Sequence, residues 1–153
     1  MKILLDPGDC FSVPLEDSTF AFGQYMLPHP KVGPLVRIFD FRSPTPNIRV
    51  DELRKAALLF PPVFVGLNPP VRSGRWKKIG AFPTEDFEFP MFRASLLLKD
   101  GMNNDWKIWD GKTYVTIGTL SPEFEHLELK AVYPYQDLEE RILTGRDWIQ
   151  ERR

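Results

Sequence analysis

A chain of 153 residues, 42% apolar and 27% charged, with a net charge of −1, suits one domain with a core of its own, expected over 1–153. Its charge balance excludes the electrostatic footprint of a strong binder of nucleic acid or anionic membrane. The single cysteine, Cys10, excludes an internal disulfide and fits a reducing compartment. No apolar run approaches the ~18–20 residues of a membrane span, and Met1 to Gly8 is too short for a signal-peptide core. The expected location is therefore the cytoplasm.

Fifteen prolines and twelve phenylalanines argue against a helical bundle. Proline lacks a ladder donor and sits at strand ends, edges and turns. Phenylalanine fits a pleated, half-buried surface. In chain order, residues 11–15 and 19–26 alternate as the arms of a hairpin around Glu16-Asp17-Ser18. Residues 27–34, with three prolines, read as a loop. Leu35 to Phe41 reads as a strand and 43–47 as a loop. Asp51 can cap a helix near 51–59, and Leu53, Ala56, Ala57 and Phe60 recur on one helical face. Pro61-Pro62 ends it.

Val63 to Leu67 is a short apolar strand, 68–74 a loop, and Trp76 to Phe82 another strand. The stretch from Pro83 to Pro90 interleaves Glu85, Asp86 and Glu88 with Phe87 and Phe89. A strand over 92–98 leads into turn-forming residues over 99–105. Asp110-Gly111 joins 106–109 to 113–117 as a second hairpin. Ser121-Pro122-Glu123 opens a helical turn, and Leu127, Leu129 and Ala131 alternate as extended chain. The final predicted element is a helix over 138–144, capped by Asp137 with Glu140 reaching back and ended by Gly145. The expected fold is α+β and mostly β. It is a strongly bent antiparallel sheet of about six or more strands curling toward a small barrel, with one central and one C-terminal helix.

Catalytic patterns are sparse. The glycines make no phosphate loop. Cys10, His29 and His126 are too few and too scattered for a zinc site, so no metal or cofactor is expected. Cys10 beside Phe11 reads as a buried structural thiol, His29 as an exposed loop residue and His126 as a surface residue. The carboxylate pairs Glu16/Asp17, Glu85/Asp86, Glu123/Glu125 and Glu139/Glu140 sit where turns and caps want acids, and no enzymatic activity is expected. The acidic–aromatic run stands apart. Its plain reading is a strand edge with Phe87 and Phe89 inward. Its functional reading is a recognition patch for a basic partner, formed by Glu85, Asp86 and Glu88; Trp109, placed before the Asp110-Gly111 turn and open to exposure there, is a separate candidate for the partner contact.

Two motifs carry a resemblance. Gly8-Asp9-Cys10-Phe11-Ser12-Val13-Pro14-Leu15 with Phe20-Ala21-Phe22-Gly23-Gln24, and Trp76-Lys77-Lys78-Ile79-Gly80, resemble the immunity protein 26 family of bacterial polymorphic toxin systems. Asp17-Ser18-Thr19 stands where that family tends to have an Asp-Gly turn. The resemblance implies a non-catalytic cytoplasmic protein that binds and neutralises a cognate toxin, one whose active-site surface could be basic. The alternative is a small β-barrel that binds nucleic acid or a small ligand, using the basic cluster Arg72, Arg75, Lys77 and Lys78 around Trp76.

Overall fold

The computed structural model describes residues 2–84, 87–95 and 105–151. The strands are β1 (Asp9–Pro14), β2 (Phe20–His29), β3 (Gly33–Ile38), β4 (Val63–Val65), β5 (Lys77–Ala81), β6 (Phe92–Ala94), β7 (Trp106–Trp109), β8 (Tyr114–Gly118), β9 (Glu128–Leu129) and β10 (Val132–Tyr133). The helices are α1 (Val50–Arg54), α2 (Asn68–Arg72), α3 (Tyr135–Thr144) and α4 (Trp148–Glu151), with a 3-10 turn at Pro122–Phe124. A six-stranded sheet has the order β10-β4-β3-β2-β1-β5, and a four-stranded sheet the order β8-β7-β6-β9. All pairs are antiparallel except β10 with β4 and β6 with β9.

The α+β, mostly β expectation holds, but no barrel closes among the described residues. Closure of the larger sheet would require β5 to meet β10. Instead Pro83 takes the chain out of the ladder just after β5, because proline cannot donate. The chain then starts the second sheet, and β9 and β10 step directly from one sheet to the other.

The first hairpin forms as predicted. Its turn shows the consequence of Ser18. That residue takes a φ of 69°, a conformation that glycine adopts without steric cost. Asp17 supports it by accepting from the Thr19 amide at 3.0 Å and hydroxyl at 2.6 Å. The expected loop over 27–34 is instead a tight connection in which Pro28 and Pro34 face each other across β2 and β3. Neither has an N–H, so their pairing costs no ladder bond.

The predicted helix over 51–59 is only α1, and Asp51 lies in its first turn rather than at its cap, which is Arg49. Residues 57–59 are drawn back to the end of β3. Asp40 donates to the Ala57 carbonyl, Leu59 to that of Ile38, and Phe39 bridges Leu58. Those bonds compete with, and override, local helical preference. Two short helices were not foreseen, α2 and α4; α2 starts at Asn68-Pro69-Pro70, with proline at a first-turn position that suits it. Helix α3 begins three residues before the predicted 138, at Pro134 as cap, and Asp137 makes no cap bond. Gly145 ends it at a φ of 80°, as expected. The expected strand over 92–98 is observed as β6, and 96–104 lie outside the described residues.

The larger sheet is buried on both faces. Alternation along β1 sends Phe11 and Val13 to the side of Leu138 and Ile142 of α3, and Cys10 to the side of Leu53 of α1. Trp76 stacks flat on Phe11, centroids 5.1 Å apart. Gly23 lies directly opposite Phe11, and a Cβ there would sit 2.6 Å from Phe11 Cζ and 2.9 Å from Ile38 Cδ1. Gly23→Ala is therefore expected to cost about 1–3 kcal/mol by forcing Phe11 off Trp76. An unchanged urea midpoint would contradict this.

Candidate partner-binding surface

Residues 83–91 carry the chain from β5 in one sheet to β6 in the other. The described ones, 83–84 and 87–91, form no strand, which corrects the strand-edge expectation. Phe87 and Phe89 are nonetheless inward and half-buried against Met26, Leu35, Phe64, Phe92 and Trp109. Phe89 meets Trp109 edge-on, with centroids 5.7 Å apart. Between them Glu88 is exposed. The two anchors hold the backbone, so Glu88 is presented from a fixed ridge rather than a free loop. Glu85 and Asp86 lie outside the described residues.

Trp109 is not on the surface. It is 3% exposed, because β7 is paired on both sides, by β6 and β8. Its ring lies among Phe64, Phe89, Phe92 and His29. The exposed aromatic is its cross-strand partner Tyr114, 48% exposed. Lys130 donates from Nζ to the Tyr114 hydroxyl at 2.7 Å and stands 4.9 Å from the Trp109 ring centroid. Trp109 thus shapes this face from beneath.

His29 differs from its expected exposed position. It ends β2 half-buried, edge-on to Trp109 at 4.9 Å, with Nε2 2.7 Å from the Gly111 carbonyl. The contact ties the β2–β3 turn to the β7–β8 turn. A cavity of about 330 Å³ lies between them, lined by Pro28, His29, Pro30, Phe89, Gly111 and Lys112 among others. Asp110 accepts from the Thr113 and Lys112 amides at 2.8 and 2.9 Å. These bonds hold its carboxyl below the usual range. No sequence pattern pointed to His29, since its partner is 82 residues away.

The basic cluster is partly neutralised. Arg75 makes a two-pronged bond to Glu139 at 2.8 and 2.7 Å, and Lys78 lies 3.2 Å from Asp9. Trp76 is 1% exposed and so offers no face for a base to stack on. Cys10 is fully buried, and burial pushes its thiol up to about 12, far from a reactive thiolate. His126 is exposed, as expected. Among the described residues, no three His, Cys, Asp or Glu side chains are grouped to hold a metal ion. No described helix is long and apolar enough to cross a membrane.

Residues 6–108 match the family model described as immunity protein 26. The match takes in both hairpin strands of the first motif, the Trp76–Gly80 element and the ridge around Glu88, and stops before α3. No curated protein and no solved structure matches the chain significantly.

Proposed function

The chain belongs to the immunity protein 26 family, and on that premise we propose that it binds and neutralises a cognate bacterial toxin by direct protein–protein contact, in the cytoplasm and without a chemical step. The observation that carries the proposed surface is Glu88, exposed between two inward phenylalanines on a ridge bridging the two sheets. Rigid presentation matters, because ordering a loop on binding costs affinity. Glu85 and Asp86 extend the same acidic sequence. Such a ridge suits a toxin with a basic active-site surface, to which it would be steered electrostatically. Trp109 contributes by holding Phe89 and Tyr114 in place.

A specific interface buries about 1,600 Å² in total, and nanomolar affinity needs roughly −12 kcal/mol. The test is Glu85→Lys, Asp86→Lys and Glu88→Lys combined, measured for binding to the toxin encoded beside this gene and for growth protection. If the acids lie at the interface rim, association slows and its salt dependence flattens. If they are desolvated, affinity falls by about 2–5 kcal/mol per lost partner, chiefly through dissociation. Full affinity and protection in a folded triple variant removes the ridge from the contact. A wild-type protein that binds no adjacent toxin refutes the immunity reading.

A further inference from the structure

We infer that the cavity between Arg37 and Arg54 is an anion site that receives a carboxylate side chain of the partner; the identity of the partner rests on the toxin-binding reading above. The cavity has a volume of about 250 Å³ and is lined by Arg37, Arg54, Phe82, Pro83, Thr84 and Phe87. It therefore abuts the acidic ridge. Arg37 comes from β3 and Arg54 from the last turn of α1. Both guanidinium groups lie over the ring of Phe82, at 5.8 and 5.3 Å from its centroid. Arg37 is also 5.4 Å from that of Phe39. Stacking of this kind occupies the flat face of a guanidinium and leaves its N–H edge free to donate.

Arg37 is held in place by a buried relay. Its Nε and Nη2 donate to Gln24 Oε1 at 2.9 and 2.6 Å. Gln24 is fully buried, and its Nε2 donates to the carbonyls of Gly8 at 3.0 Å and Phe82 at 2.8 Å. Two carbonyls on one side require the amide nitrogen there, so the amide oxygen must face Arg37. Gly8 and Gln24 belong to the first sequence motif, so residues without chemistry of their own aim this guanidinium. Among the described residues, no hydrogen bond engages its Nη1.

Neither Arg37 nor Arg54 pairs with a carboxylate among the described residues. Both cations line the same cavity, so an anion entering it is attracted by each. Burial pulls Arg37 down from the usual arginine range, in keeping with a charge held without a compensating acid. A carboxylate, planar and singly charged, matches two guanidinium edges. An acidic ridge beside a basic pocket also gives the interface both signs of charge, which favours one register over others.

The test uses the full chain labelled with ¹⁵N, following arginine Nε–Hε signals during parallel titrations with sodium acetate and sodium phosphate at constant ionic strength. Acetate is expected to shift Arg37 and Arg54 together and saturably, while exposed Arg72 moves little. Arg54→Gln, at an exposed position, is expected to weaken acetate binding about tenfold; Arg37→Lys keeps the charge but loses the fork and is expected to weaken it too. Shifts no larger than those of Arg72, or phosphate bound more tightly than acetate, overturn the carboxylate assignment without bearing on toxin binding. Retained acetate binding in the wild type, with toxin affinity unaltered by Arg54→Gln, overturns the partner assignment alone.

Discussion

Replacing Trp76 by alanine is expected to remove about 3–5 kcal/mol of folding stability. The side chain is 1% exposed, stacks on Phe11 at an interplanar angle of 3° and meets Tyr135 edge-on. Truncation leaves a cavity between β1 and α3 that neighbours of fixed backbone cannot refill. A second loss is smaller. Trp76 Nε1 donates to Glu139 at 2.9 Å, but Glu139 keeps its bond to Arg75. Trp76→Phe retains most of the ring and forfeits the N–H, and should cost about 1–3 kcal/mol. Domains are stable by only about 5–15 kcal/mol, so the alanine variant should be visibly depleted in cells. Urea denaturation checks the ranking. A loss below about 1 kcal/mol for Trp76→Ala would show that the stack is not a support of this core.

Arg141→Ala is expected to cost a similar amount, about 3–5 kcal/mol, for an electrostatic reason. The guanidinium donates to Glu128 at 2.6 and 2.9 Å and to the Tyr133 hydroxyl at 2.9 Å, and lies 3.3 Å from Asp147. Its carbon is 3.9 Å from the Phe60 ring centroid. Burial alone would lower its pKa, but Glu128, Tyr133 and Asp147 together outweigh that and the net shift is upward. Burial and the bond donated to Asp147 hold Tyr133 protonated. Removing the cation leaves Glu128 and Asp147, whose side chains are 7% and 14% exposed, without their directly bonded cation and with only the charge of Arg93 nearby. The cluster joins α3 to β9, β10 and the start of α4, so its loss should loosen the whole tail. Arg141→Met with Glu128→Leu should recover part of the loss, because the more buried of the two carboxylates is then removed, while Asp147 keeps the bond donated by Tyr133. If the double variant is no more stable than Arg141→Ala, the stranded-charge explanation is wrong; a double-mutant cycle measures the coupling.

Local chemistry made much of this molecule legible. Alternation along 11–15 and 19–26 marked the first hairpin, observed as β1 and β2, Asp110-Gly111 the second, and Gly145 the end of α3. The resemblance carried by Gly8 to Gln24 and by Trp76 to Gly80 pointed to the family that the match confirms. These signals are short-range, and their physics lies in φ, side-chain alternation and capping. The inward direction of Phe87 and Phe89 was legible for the same reason.

Tertiary structure decided the rest. Trp109 was open to exposure by its place before a turn, but the pairing of β7 on both sides buries it. Helix α1 stops at Arg54 because residues 57–59 bond to the end of β3. The sheet stays open because Pro83 diverts the chain and β9 feeds β10 from the second sheet. His29 joins Gly111, and Gln24 aims Arg37, through contacts with residues far along the chain or on another strand. By itself the sequence determined the class of fold, the hairpins and the family, because those follow from neighbours a few residues apart. Which side chains meet across the sheets, and so which surface is offered to a partner, follows from register and packing between distant segments.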